Sequence, residues 1–121
     1  MRQLEKYDDR LKMRIATHVV EEAEAILTPL GLPVNMALVL YTRTVARMGK
    51  IPEKVAATKS QVQDSGARSE LQLCLPERIH QEAKAVWVSL GLTQNAAGTQ
   101  FLRAVVEHRG LPFQLELEQL D

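Results

Sequence analysis

One stretch of this chain occurs twice. Residues 10–52 lie over residues 70–112 without a gap, at a constant offset of 60, and 12 of the 43 aligned positions are identical. Among them are Leu11/Leu71, Gly31/Gly91, Leu32/Leu92, Asn35/Asn95, Arg43/Arg103 and Pro52/Pro112, while Ile15/Leu75, Ile26/Val86 and Tyr41/Phe101 keep their character. Both copies are therefore expected to build the same small structure. A unit of this length is near the size at which a lone core stops supporting itself without disulfides, metal or a partner. The single cysteine, Cys74, excludes an internal disulfide framework, and no Cys/His spacing resembles a zinc site. Each copy thus needs the other, or a second chain.

Within a copy the pattern changes period twice. Residues 10–15 alternate, with Leu11, Met13 and Ile15 on one face and Arg10, Lys12 and Arg14 on the other, as a half-buried strand does. A helix follows, capped by Thr17, with Val19, Ala23, Ile26, Leu27 and Leu30 at helical spacing; Pro29 disturbs its last turn and Gly31 ends it. After Leu32-Pro33-Val34-Asn35 a second helix places Ala37, Leu40, Tyr41, Thr44, Val45 and Met48 on one face. The second copy repeats the order. Leu71, Leu73 and Leu75 point inward and Glu70, Gln72 and Cys74 outward, Pro76 opens a helix containing Ile79, Ala83, Val86, Trp87 and Leu90, and a last helix from about Gln94 ends near the C-cap candidate Gly110.

These patterns divide the chain into an arm (1–9), a first unit (10–52), a linker (53–69), a second unit (70–112) and a tail (113–121). The linker is small and polar, although Val55 to Val62 have room for a helical turn. An isolated short strand is not stable, so the two strands are expected to pair over four helices. A linker of this length spans roughly 20 Å as a coil, enough to join the copies within one molecule. The expected fold is mainly α with a short β ribbon, two tandem units forming a single-chain pseudodimer in the order β-α-α-linker-β-α-α; pairing between two chains as a homodimer is the alternative.

Strand, helix, helix in this order resembles the ribbon-helix-helix proteins of the Arc/MetJ type. Leu75-Pro76 at the strand end and the turn Gly31 to Asn35 match in place, and the Gly-Leu-x-x-Asn-x-Ala run with the closing Leu111-Pro112-Phe113 looks most like the RelB/DinJ antitoxins. The resemblance implies a two-stranded ribbon whose outward side chains, here Arg10, Lys12, Arg14, Glu70, Gln72 and Cys74, enter the major groove of duplex DNA. It also implies phosphate binding at the start of each unit's second helix, by Val34, Asn35, Gln94 and Asn95. Asn35 and Asn95 equally suit helix caps. In the antitoxins the segment beyond the fold holds a toxin, which makes Phe113, Leu115 and Leu117 candidate partner contacts.

Charge qualifies that picture. The whole chain is neutral, with 15 Lys/Arg against 15 Asp/Glu; residues 1–52 hold 8 against 6 and residues 70–121 hold 4 against 7. The first half is the better place for a phosphate backbone. Glu70 and Cys74 fit that role poorly: a carboxylate can accept from cytosine N4 but repels the phosphate backbone, so the second strand departs from a symmetric DNA ribbon. Two functions stay open: a sequence-specific DNA-binding repressor or antitoxin-type autoregulator, and a protein-binding module or inhibitor that has lost DNA reading. No phosphate loop, nucleophile motif or acid/base constellation points to an enzyme, and no cofactor is implied. His18, His80 and His108 are not equivalent between copies and lack ligand spacing. The polar start and the lack of a long apolar run suggest a soluble protein of a reducing cytoplasm.

Overall fold

The computed structural model describes residues 9–58 and 66–113. Residues 1–8 of the arm expected at 1–9, the middle of the linker at 59–65, and Leu115 and Leu117 of the tail lie outside the described residues, while Asp9 begins the first strand. Strand β1 (Asp9–Ala16) leads into helix α1 (Thr17–Leu27), a 3-10 turn (Thr28–Leu30), helix α2 (Val34–Met48) and the short helix α3 (Glu53–Ala56). Strand β2 (Arg68–Leu75), helix α4 (Glu77–Ser89) and helix α5 (Gln94–His108) follow.

This corrects the expected fold class. The described residues form five α-helices and one two-stranded antiparallel sheet; a single strand, β1, precedes the helices, and the plan of two tandem β-α-α units does not hold. The reason lies in packing. Helix α2 packs chiefly on α4, and α1 on α5, so helices of each half of the chain complete their burial on the other half. Neither half has a core or a sheet of its own. The stretch after Pro52 is also more than a plain linker: Val55 has an apolar side chain to bury, α3 forms around it behind Pro52, and Gln100 donates from Nε2 to the Thr58 carbonyl at 2.9 Å.

The strands run antiparallel from Asp9↔Leu75 to Ala16↔Arg68. Their inner face buries Leu11, Met13, Ile15, Leu73 and Leu75, with Leu71 half-buried. A close approach to α5 is needed there: a Cβ on Gly98 would sit 2.6 Å from Met13 Sδ and 2.9 Å from Ile15 Cδ1. The equivalent position in α2 is Leu38, which is itself fully buried, so the two helices meet the sheet differently. At the centre, Tyr41 stacks on Phe101 at 4.6 Å between ring centroids and on Trp87 at 6.1 Å, and Phe113 tilts against Phe101 at 5.9 Å.

The repeated Gly-Leu pairs close both first helices alike. Gly31 and Gly91 adopt φ of 74° and 75°, a left-handed conformation that lets Leu32 N–H reach back to the Leu27 carbonyl and Leu92 N–H to that of Trp87. Leu30 and Leu90, expected inside, are instead 60% and 56% exposed, because each sits in the closing turn after its helix face has ended. Two caps also differ from expectation. Thr17 is inside α1 and pairs its hydroxyl with Ser69 Oγ at 2.9 Å. Helix α5 ends on Arg109 at φ 54°, one residue before Gly110.

No single helix among the described residues is long and apolar enough to cross a membrane. The bent pair formed by residues 17–30 and 34–48 is apolar enough together, but it turns through 91°, and its Ala23, Leu27, Ala37, Leu38, Tyr41 and Val45 are buried in the core described above.

Candidate nucleic-acid interface

Side chains alternate across a strand, so burying the odd-numbered residues of β1 and β2 turns the even-numbered ones outward. Arg10, Lys12, Arg14, Glu70, Gln72 and Cys74 are all exposed, and the register brings them together in three rows: Arg10 opposite Cys74, Lys12 opposite Gln72, Arg14 opposite Glu70. The copy offset places Lys12 opposite its own equivalent, at the middle of the ribbon. Charges on this face partly compensate one another, with Lys12 Nζ 4.0 Å from Glu70 Oε2. Both groups are well exposed, so the pair is weak and open to exchange with a ligand.

Arg68 belongs on this face too. It is exposed and shares the outward parity of β2, opposite Ala16, although sequence reasoning placed it in the linker. Arg68, Ser69 and Glu70 are all polar, so no apolar alternation marked this extension of the strand in the sequence. With Arg68 the face holds four cations and one carboxylate among the described residues. A two-stranded ribbon is the size of object the major groove admits.

Helix starts flank the ribbon on both sides. Asn35, in the first turn of α2, donates from Nδ2 to the Gln72 carbonyl at 3.0 Å. In the first turn of α5, Asn95 Oδ1 accepts from the Arg14 backbone N–H at 2.8 Å, and Gln94 Nε2 donates to the Lys12 carbonyl. The expectation that Asn35 and Asn95 cap their helices is therefore corrected. The flanking residues are Pro33, without a side-chain cap, and Thr93, whose hydroxyl accepts from Ala96 N–H at 3.1 Å. Sequence reasoning missed Thr93, for which a threonine just before a helical pattern was an available signal.

Because these carboxamides are engaged with strand backbone, any phosphate contact falls to the helix N–H groups. Those of the first helical turn have no carbonyl in a preceding turn. Val34 is buried, which leaves little of it open to a phosphate. The same hydrogen bonds occupy the outer edges of both strands, where an unpaired edge would otherwise invite a further strand.

Other candidates fall elsewhere. Phe113 is half-buried against Phe101. His80 Nδ1 pairs with Asp9 Oδ2, tying the start of β1 to α4. No group of three or more His, Cys, Asp or Glu side chains among the described residues is placed to hold a metal ion. In comparisons with models of protein families, with curated proteins and with solved structures, the chain matches none.

Proposed function

We propose that this chain binds duplex DNA by laying the exposed face of the β1–β2 ribbon in the major groove, and that it acts in the cytoplasm as a transcriptional repressor or autoregulator. The observation that carries the reading is the concentration of Arg10, Lys12, Arg14 and Arg68 on one exposed ribbon face. The chain as a whole is far from basic, with a net charge of zero. Clustering of cations in an otherwise neutral chain is the electrostatic footprint of a phosphate-facing surface. The starts of α2 and α5, on either side of the ribbon, supply N–H groups and positive dipole ends to the phosphates that border the groove. The ribbon cations and the two helix starts thus act together on one face.

A second reading has its own support. Glu70 lies on the same face and holds Lys12 within 4.0 Å, as a surface shaped for a protein partner would also do. Salt dependence separates the two. If about four phosphates are contacted, affinity for mixed-sequence duplex falls roughly a hundredfold between 50 and 200 mM salt. Fluorescence anisotropy measures this directly. Absence of binding at 50 mM salt removes the DNA reading and leaves the partner-binding one.

A further inference from the structure

We infer that the ribbon reads a non-palindromic duplex site, in which Glu70 accepts a hydrogen bond from a cytosine N4 amino group while Arg14, directly opposite, holds the guanine of the same base pair. This rests on the ribbon reading proposed above and adds to it a direction and a residue.

The register supplies the geometry. The Arg14 N–H and the Lys12 and Gln72 carbonyls all point away from the partner strand, toward the helix starts. The outward rows are therefore the non-hydrogen-bonded pairs of the ladder, whose side chains stand closest, with Cβ atoms about 4.5–5.5 Å apart. Along a strand, successive outward residues are roughly 6.6 Å apart, close to two base steps. A ribbon lying along the groove thus sets each row over every second base pair, one side chain toward each DNA strand.

The chemistry of each row then selects a base pair. Guanine offers the O6 and N7 acceptors to Arg14, and its cytosine offers the N4 donor to Glu70. Reversing the pair would set donors against the guanidinium and acceptors against the carboxylate. In the middle row Gln72 suits adenine, leaving thymine O4 to accept from Lys12; in the third row Arg10 suits guanine, and Cys74 makes only weak demands. A palindrome presents the same edges to equivalent positions of the two strands. At an offset of 60 the equivalent of Arg14 is Cys74 and that of Arg10 is Glu70, pairs with opposite or unrelated requirements.

The competing account makes Glu70 a solvated carboxylate that only repels phosphate, so that removing it tightens binding to every sequence alike. Selection of bound duplexes from a random library, followed by anisotropy on the selected duplex and on mixed-sequence duplex, distinguishes the accounts for wild type and Glu70→Ala. The selected sites are expected to lack two-fold symmetry and to hold an oriented G·C pair at the Arg14–Glu70 row. Discrimination at that pair is expected to drop roughly tenfold or more in Glu70→Ala while affinity for mixed-sequence duplex rises. A palindromic motif, or uniform tightening with discrimination unchanged, overturns this inference and leaves DNA binding standing. Failure of the wild type to bind any duplex at 50 mM salt overturns both.

Discussion

Tyr41 and Phe101 occupy equivalent places in the two copies and stack at the centre of the core, but only one of them carries a hydroxyl. Tyr41 Oη is buried beside the Trp87 side chain, but the two make no hydrogen bond of ordinary geometry. Burial pushes its phenol far above the usual range, with the neighbouring Trp87 side chain opposing this weakly. A pKa raised in the folded state means stability that is complete below the unfolded value of 10.0 and is lost as pH rises beyond it. Tyr41→Phe is therefore expected to leave stability at pH 7 unchanged or raise it by about 1 kcal/mol, and to flatten its decline near pH 11. Urea unfolding at the two pH values checks this; a clear loss at pH 7 would mean that the hydroxyl has a partner.

Arg109 allows a second test at this scale. It adopts φ 54° where its equivalent in α2, Gly49, adopts 69°. A left-handed non-glycine residue is strained, so Arg109→Gly should stabilise by about 0.5–1 kcal/mol, and Gly49→Ala should destabilise by a similar amount. Thermal melts of the two variants should move in opposite directions. Much of the residue-level core was legible: Ala37, Tyr41, Val45, Ala83, Trp87, Ala97 and Phe101 follow from helical spacing and are buried. The position of the αL residue was not legible, because Gly110 looks like a stop signal while the helix geometry set by packing ends one residue sooner.

At the scale of elements, strand alternation located the ribbon and its outward face, but not its full length. Ser69 and Arg68 follow small polar residues with no apolar partner to mark them, and they join β2 because Ile15 and Ala16 of β1 lie opposite. Helix α3 was legible only as room for a turn from Val55 to Val62, and its place at Glu53–Ala56 was not: four residues with one deeply buried apolar side chain carry too little period to read. The ties between helix starts and strand backbone were invisible as well, since Asn35 and Asn95 recur for a reason that only the antiparallel pairing reveals. Asn35→Ala and Asn95→Ala should each cost about 1 kcal/mol of stability by urea unfolding. Both hydrogen bonds lie at exposed positions, so water limits the loss. Stability unchanged in both variants would show that the strand edges do not depend on these carboxamides.

At the scale of the molecule, the duplicated sequence makes one core, in which α1 rests on α5 and α2 on α4. That arrangement holds two different strands side by side in a fixed register, so the ribbon face is a single surface assembled from both copies. Its cations are the centre of the functional account. Lys50 follows the end of α2 and Lys54 lies in α3, both exposed, and Lys50 is separated from the ribbon by a 15-residue helix, roughly 20 Å in length. The most direct measurement compares duplex binding by Lys12→Ala/Arg14→Ala with that by Lys50→Ala/Lys54→Ala, two variants that lose the same charge at different places. In fluorescence anisotropy at 50 mM salt the first is expected to lose binding by a hundredfold or more, and with it about half of the salt dependence, while the second stays within about threefold of wild type. Equal losses in the two variants, or none in the first, would contradict a DNA-binding ribbon.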